Sequence, residues 1–332
     1  MQNRQLFVDG ELVELGERMF WPGNRVQGRF SGGSGSPLRP LRAAIKATAP
    51  RASANQVRAR IRTVLKRTPQ VMVKITGGGR GLGRIRAHLE YISRKGKLEL
   101  EDQSGERVEG KDGVRGVGTA WKTAGQGIPN ESNRREAFNI MLSMPPATDF
   151  SMVRDAAREF AAQEFSNHLY VFAGHRPDTD DKTERPHVHL VVRAEALDGR
   201  RLNPRKADLQ RWRETFAQRL QARGVAATAE RRPLRGIVAR PQPRWKKSLR
   251  QRGGVFKRVE NPLTTRELRA QRHGVASWHK MATLLADSDV REDRTMAAEI
   301  AQMVSKMPAI AELQRVAVKP VERPQNELGP DK

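Results

Sequence analysis

The chain has 332 residues, a formal net charge of +25 and an aromatic content of only 5%. That length suits one or two domains, and the large positive charge indicates a polyanionic partner, with nucleic acid as the first candidate. Because the sequence has no cysteine, disulfides, thiolate catalysis and zinc ribbons are excluded. A polar N-terminus and the lack of an apolar run of about 20 residues predict no membrane insertion and a cytoplasmic protein.

Residues 1–69 are predicted to form a basic, partly flexible N-terminal arm with a possible helix. A short hairpin is expected around residues 7–13, followed by a Gly/Ser/Pro-rich stretch at residues 32–37. Residues 18–89 contain sixteen Lys and Arg and no Asp or Glu, and residues 231–259 contain eleven with none. Segments of one charge are typical of surfaces that bind phosphates, and a disordered solubilising tail is the alternative.

Residues 70–240 are predicted to form a packed domain, and residues 241–332 a basic, partly helical C-terminal region. Within the domain, the residue patterns predict strands and helices in the order strand, helix, strand, helix, strand, strand, helix. This order predicts an α+β fold with a mainly antiparallel sheet covered by helices. The glycine-rich run at residues 77–83 lacks the Lys-Ser/Thr pair of a phosphate-binding loop.

Two histidines, His187 and His189, flank a single apolar residue in a β-branched segment. Because strand side chains alternate between faces, both imidazoles are predicted to point toward an open side while the intervening apolar side chains lie in a core. His175 ends the preceding apolar run, and a polar, turn-rich loop is expected to return the chain to it. The three imidazoles predict a site for one divalent metal ion, with ordinary surface histidines as the alternative.

The sequence has two tyrosines, Tyr91 and Tyr170. In a helix over residues 82–94, Tyr91 projects roughly 130° away from the apolar stripe and is flanked by Arg and Lys. That setting predicts a nucleophile for a phosphodiester, with a surface tyrosine that stacks on a base as the alternative. Tyr170 lies within an apolar run and is predicted to belong to the sheet core.

These residues fall in three ordered segments. The segments are Leu-Glu-Tyr-Ile-Ser-Arg-Lys-Gly-Lys at 89–97, Leu-Ser-Met-Pro at 142–145, and His175 followed by Pro-His-Val-His-Leu-Val-Val at 186–192. In this order they resemble the three motifs of the P-type conjugative relaxases, which are HUH endonucleases, over residues 70–230. The resemblance implies a five-stranded HUH sandwich. It also implies a site- and strand-specific transesterase that nicks and rejoins DNA at a plasmid transfer origin through a covalent tyrosyl-DNA intermediate.

Carried over by position, the resemblance implies that Tyr91 is the nucleophile and that Ser143 helps to position the DNA. It implies that the metal ligands are His175, His187 and His189.

Members of this family commonly have an aspartate two residues after the first histidine, and here Pro177 stands at that position. Asp178 follows it and is expected to be the catalytic carboxylate that supports the site. Asp180, Asp181 and Glu184 are the alternatives.

The expected cofactor is a divalent ion, Mg²⁺ or Mn²⁺, with Zn²⁺, Co²⁺ and Ni²⁺ also open because imidazole ligands suit them. The resemblance implies single-stranded origin DNA, accessory relaxosome proteins and the coupling protein of a secretion system as partners. It also implies transfer to a recipient cell in covalent attachment to the DNA.

Two alternatives remain. The first is an HUH replication initiator or single-strand transposase, in which the tyrosine usually follows the histidines. The second is a non-catalytic DNA-binding accessory protein, which a nicking assay distinguishes.

Overall fold

The computed structural model describes residues 2–21, 52–125, 127–178, 184–238, 252–253 and 263–318. The chain divides into two compact units. Arg67–Ala229 forms one of them, here called the sheet unit, and Met1–Lys66 together with Glu230–Lys332 forms the other, here called the helical unit. Within the described ranges, no helix combines the length and apolar character that a membrane crossing requires.

In the part of the sheet unit that the structure describes, there are six strands and four helices. In chain order they are β1 (Met72–Gly77), α3 (Leu82–Ile92), β2 (Leu100–Asp102), β3 (Arg107–Val108), α4 (Gly110–Thr123), β4 (Ala137–Ser143), α5 (Phe150–Glu164), β5 (His168–His175), β6 (His187–Ala196) and α6 (Lys206–Ala222). The helices of the other unit are numbered α1, α2 and α7 to α9 below. The strands form one sheet in the order β1-β4-β6-β5-β2-β3, and each neighbouring pair is antiparallel.

The predicted α+β class with a helix-covered antiparallel sheet is therefore confirmed. The sheet has six strands rather than the five expected, because β2 and β3 pair as a small hairpin at one edge. These strands are three and two residues long, too short for an alternating pattern to reveal them.

Helices cover both faces of the sheet. On one face, Val188, Leu190 and Val192 of β6 pack in a cluster with side chains of α5 and α6. On the other face, Val191 packs with the apolar side chains of α3 and α4. Because both sets of alternating side chains meet a helical layer, β6 is buried along its whole length.

Helix α3 begins at a close approach of two backbone segments. The N–H of Leu82 donates to the carbonyl of Pro129 at 2.9 Å. A Cβ at Gly81 would lie 2.3 Å from the carbonyl oxygen of Asn130, and the φ of Gly81 is +93°. Glycine is therefore required at position 81, where it lets the start of α3 approach the backbone of residues 129–130 closely.

Within its described residues, the helical unit contains α1 (Gln2–Phe20), α2 (Ala54–Leu65), a 3₁₀ turn (Arg232–Arg235), α7 (Thr265–Ala286), α8 (Arg291–Ser305) and α9 (Pro308–Val318). These elements share one apolar core, in which Leu12, Ile61, Trp278 and Ile300 are fully buried. The indole N–H of Trp278 donates to the carbonyl of Leu234 at 2.6 Å.

The hairpin predicted around residues 7–13 is wrong, because that segment lies inside α1. Val8, Leu12 and Met19 are buried at spacings that place them on one side of a helix. The described part of the arm predicted for residues 1–69 includes α1 and α2, and both helices contribute to the shared core rather than forming a flexible segment. The Gly/Ser/Pro-rich stretch at residues 32–37 lies outside the described residues.

Part of the basic N-terminal segment serves folding. Arg58 donates to both carboxylate oxygens of Asp293 at 2.7 Å and to Asp9 at 2.6 Å. Burial raises the pKa of Asp293, but hydrogen bonds from Arg58 and Ser288 outweigh it and hold that pKa below its usual value. The charge of Arg58 is thus neutralised inside the helical unit.

Candidate active site

Strand pairing brings the three predicted histidines together. His175 of β5 lies directly opposite His187 of β6, and His189 follows two residues later on the same face of the sheet. The ring centroids of the three pairs are 4.9, 4.8 and 4.9 Å apart, which makes the triangle nearly equilateral. One nitrogen from each ring lies within 4.8 Å of the others, so the three side chains could hold a single ion.

The sequence predicted that the imidazoles face an open side. They do not, because α3 and α4 cover this face of the sheet. His175 is 0% exposed, and His187 and His189 are each 8% exposed. Burial, followed by the charges of His175 and His187, lowers the pKa of His189 to about 2. His189 is therefore neutral at any ordinary pH, which is the state a metal ligand requires.

Hydrogen bonds to the backbone orient two of the rings. Nε2 of His175 donates to the carbonyl of Ile92 at 2.8 Å. Its Nδ1 lone pair, which accepts from Arg94 at 3.0 Å, is the atom left for a metal, so Arg94 would have to release it on metal binding. Nδ1 of His187 donates to the carbonyl of Arg185 at 2.9 Å, which leaves its Nε2 lone pair as the metal-binding atom. Such bonds fix the tautomer of a ligand histidine.

The His189 ring shows whether a metal ion would fit this site. Nδ1 of His189 is buried and has no hydrogen-bond partner within the described part of the chain. A buried nitrogen without a partner is costly, and coordination to an ion nearby would remove that cost. Three imidazoles, of which two are oriented by backbone carbonyls, form a donor set that suits a divalent transition metal.

Ser143 lies at the end of β4, opposite His187 in the β4–β6 pairing. It is 2% exposed, and its hydroxyl donates to the carbonyl of Pro186 at 3.2 Å. Ser143 therefore ties β4 to the backbone that leads into the two histidines of β6. The DNA-positioning role that the resemblance implies for Ser143 stays a prediction.

Tyr91 projects from the last turn of α3 and is 55% exposed. Its ring centroid lies 6.2 Å from that of His189, with the two planes at 81°. The guanidinium of Arg94 lies 5.3 Å from the same ring centroid. The structure thus brings the predicted nucleophile beside the predicted metal ligands, on an accessible surface.

His88, which the sequence reading overlooked, lies one helical turn before Tyr91. Its ring centroid is 5.9 Å from that of Tyr91 in a stacked arrangement, and 6.3 Å from that of His189. Burial lowers the pKa of His88, so this ring favours its neutral form. The spacing of three residues on a helix places two side chains on one face and was the available signal.

A basic turn follows Tyr91. The backbone is left-handed from Arg94 through Gly96, with φ values of 52°, 60° and 83°. A Cβ at Gly96 would lie 2.4 Å from the carbonyl carbon of Gly110, so the tight turn depends on glycine at that position. Lys95 and Lys97 are exposed and place positive charge next to the tyrosine in sequence, as a polyanionic substrate requires.

Asp178, the expected carboxylate partner, lies on the loop after β5. Its two carboxylate oxygens accept hydrogen bonds from Arg176 at 3.0 and 2.7 Å. Those hydrogen bonds lower the pKa of Asp178, so it is ionised at neutral pH. Of the alternatives, Glu184 is exposed, and Asp180 and Asp181 lie outside the described residues. A role for any of them in the reaction stays a prediction.

Comparison with known proteins identifies what this region resembles. Residues 91–225 match the family model of the MobA/VirD2-like relaxase nuclease domain. The T-DNA border endonuclease VirD2 of Rhizobium radiobacter is 32% identical over 194 residues, which cover 52% of this chain and 44% of that protein. VirD2 of Agrobacterium fabrum (strain C58) is 31% identical over 193 residues, which cover 52% of this chain and 42% of the relative.

VirD2 of Rhizobium rhizogenes is also 31% identical over 193 residues, which cover 52% of this chain and 43% of the relative. The chain therefore spans less than half the length of the curated relatives that it matches. The resemblance inferred from the three motifs is confirmed, and the matched residues 91–225 contain Tyr91, Ser143 and the three histidines.

Proposed function

We propose that this chain is a metal-dependent relaxase that nicks and rejoins one strand of DNA at a transfer origin, with Tyr91 as its nucleophile. The observation that carries the proposal is the position of the half-exposed Tyr91 ring, edge to face with His189 at 6.2 Å. A tyrosine that only stacked on a base would have no need of three buried imidazoles beside it. The match of residues 91–225 to relaxase nuclease domains supports the same conclusion.

The proposed reaction is a transesterification. The phenolic oxygen of Tyr91 forms a bond to the phosphorus of the scissile phosphodiester, and one P–O bond of the strand breaks. The phenolic proton leaves, and the departing oxygen gains a proton to become a free hydroxyl. Because the tyrosyl phosphate ester is still a diester, attack by that hydroxyl reverses the step and reseals the strand without a nucleotide cofactor.

His175, His187 and His189 would hold the divalent ion. When bound, the ion would polarise a non-bridging phosphate oxygen as negative charge develops. The chain's own part is to keep His189 neutral by burial and to fix the orientation of the other two rings. Carbonyls of Ile92 and Arg185 accomplish the latter for His175 and His187.

The substrate proposed is single-stranded DNA at the origin. Arg94, Lys95 and Lys97 lie within six residues after Tyr91, so backbone phosphates next to the scissile bond would meet positive charge. Arg94 also contacts both the Tyr91 ring and His175, which places one cation between nucleophile and metal ligands.

The cellular setting is part of the proposal. The protein would act in the cytoplasm, where plasmid DNA is located, together with accessory relaxosome proteins and the coupling protein of a secretion system. After cleavage it would travel to the recipient cell bonded to the strand. The named relatives are T-DNA border endonucleases, and a plasmid origin is the corresponding substrate proposed here.

The test is to trap the covalent intermediate. Labelled single-stranded oligonucleotides that tile the DNA flanking the gene for this protein are incubated with the protein and Mn²⁺. A band that survives boiling in detergent is expected from one oligonucleotide, and peptide mapping should place the nucleotide on Tyr91. If the protein binds an oligonucleotide specifically but forms no covalent adduct with any of them, whichever divalent metal is added, the result would instead favour the non-catalytic accessory protein.

A further inference from the structure

The orientation of Tyr91 depends on its few neighbours, because more than half of this side chain is exposed to solvent. It lies one residue before the end of α3 and is 55% exposed. An exposed tyrosine changes rotamer on the picosecond to nanosecond scale unless neighbours restrain it. In-line attack on phosphorus depends on placement to within about 1 Å, since a misplacement of that size costs roughly 100-fold in rate.

We propose that His88 is a positioning residue for the nucleophile, and that its ring face holds the Tyr91 ring in the reactive orientation. The two centroids are 5.9 Å apart and the planes differ by 23°. Both side chains come from the same helix at a separation of three residues, so their backbone spacing is fixed by α3.

His88 is itself held in place. Its ring lies edge to face with His189, at 6.3 Å between centroids and 80° between planes. It is half-buried, in contrast to the exposed Tyr91. His88 therefore lies between a buried strand side chain and an exposed helix side chain, and Tyr91 contacts both His189 and His88.

The contribution of His88 is the face of its ring. Nε2 of His88 is buried and has no hydrogen-bond partner within the described residues, so that atom anchors nothing. A phenyl ring at this position would preserve the stacked surface and would remove a buried nitrogen that lacks a partner. The side chain of Glu90, which lies between the two residues in sequence, is exposed and provides a matched control.

The proposal rests on the proposed role of Tyr91, and a spectroscopic test separates the two. The protein has only two tyrosines, so biosynthetic labelling with 3-fluorotyrosine gives two ¹⁹F resonances, which Tyr91→Phe assigns. His88→Ala and His88→Gln are expected to shift the Tyr91 signal toward that of free fluorotyrosine and to leave Tyr170 unchanged. His88→Phe and the control Glu90→Gln should keep it displaced. An unmoved Tyr91 signal in both non-aromatic variants would overturn the proposal, whatever the activity of the protein.

Single-turnover cleavage of the trapped oligonucleotide provides the second readout. His88→Ala and His88→Gln are expected to slow cleavage roughly 10- to 100-fold, whereas His88→Phe stays within about threefold of the wild type. Affinities for Mn²⁺ and for the oligonucleotide should be unchanged in all variants. A His88→Phe variant as slow as His88→Ala would show that the nitrogens matter, and a parallel loss of Mn²⁺ affinity would show a ligand role. Wild-type rates in the two non-aromatic variants would show that the ring contact has no effect.

If the wild type itself cleaves no oligonucleotide while the ¹⁹F signals respond as expected, the proposed function fails and the positioning of Tyr91 by His88 stands. His88→Gln keeps a side chain of similar length, so the test does not depend on the folding of His88→Ala alone. Far-ultraviolet circular dichroism of each variant confirms that α3 remains folded.

Discussion

The ring of Tyr91 meets the ring of His189 edge to face, with the planes at 81° and the centroids 6.2 Å apart. One residue comes from the last turn of α3 and the other from the middle of the sheet. The contact therefore depends on the packing of α3 over the sheet, which the buried stripe of that helix maintains. Packing in the core thus sets the distance between the proposed nucleophile and the proposed metal.

The first prediction concerns the two tyrosines. Tyr91→Phe is expected to abolish covalent adduct formation and to leave affinity for single-stranded DNA nearly unchanged, because only the hydroxyl is removed. Tyr170→Phe is the matched control, since that ring is 3% exposed and packs in the core beneath α5 and α6. Denaturing gels measure the adduct and fluorescence anisotropy measures binding. Adduct formation by Tyr91→Phe at the wild-type rate would refute the assignment.

The sequence allowed four strands and three helices of the sheet unit to be predicted because these elements are long and periodic, whereas the short β2 and β3 and the helix α4 were not predicted. Alternation in β6 and the spacing of Leu82, Ile85, Leu89 and Ile92 in α3 each identify a buried face. The same spacing left Tyr91 outside the core, as observed. Because the two strands that carry the three histidines were expected to pair antiparallel, the sequence also predicted that these side chains lie close together.

Other features could not be predicted from local patterns. The layer of α3 and α4 over the histidines depends on tertiary packing, so the imidazoles are buried although they were expected to be open. The core that α1 and α2 share with α7 and α8 joins residues more than 200 positions apart, as the bond between Arg58 and Asp293 illustrates with a separation of 235. Part of the basic segment that was predicted to be an arm, residues 1–69, therefore contributes to the core of the helical unit.

The second prediction concerns the metal ligands. His187→Ala and His189→Ala are each expected to weaken Mn²⁺ or Co²⁺ binding by more than about 100-fold, since losing only a residue that orients a ligand costs 10- to 100-fold. Cleavage should fall with metal binding, and a chelator should reproduce the loss in the wild type. His168→Gln, at the other end of β5, is the control. Full activity after exhaustive chelation would contradict the metal proposal.

Ser143→Ala tests whether that hydroxyl serves the histidines or the DNA. Ser143→Ala removes the hydrogen bond to the Pro186 carbonyl, which is worth about 1 kcal/mol. If the backbone before His187 then relaxes, the affinity for the metal is expected to fall roughly fivefold. Calorimetric titration with Mn²⁺ measures this, with the exposed Ser166→Ala as control. A loss of DNA affinity with unchanged metal affinity would support the DNA-positioning role instead.

The metal-free protein should lose stability as the pH falls below about 6.5, the ordinary pKa of histidine. Burial first, and then the charges of His175 and His187, lower the pKa of His189 to about 2. Between those values the unfolded state binds a proton that the folded state does not, so acid favours unfolding by up to about 1.4 kcal/mol per pH unit. Urea unfolding in chelator from pH 5 to 7.5 measures the slope. If the free energy of unfolding of His189→Gln depends on pH with the same slope as that of the wild type, the slope comes from other groups.

The final prediction concerns the ion pair inside the helical unit. The side chain of Arg58 is 11% exposed and that of Asp293 is 0% exposed, so Asp293→Ala leaves a buried cation without its main partner. That change is expected to destabilise the helical unit by about 3–5 kcal/mol. Asp287→Ala, whose side chain is 68% exposed, should cost little by comparison. Thermal unfolding followed by the fluorescence of the tryptophans, which include the buried Trp278, compares the variants. Equal melting temperatures for the two would show that Arg58 and Asp293 do not hold α2 and α8 together, and that the basic segment is free for another partner.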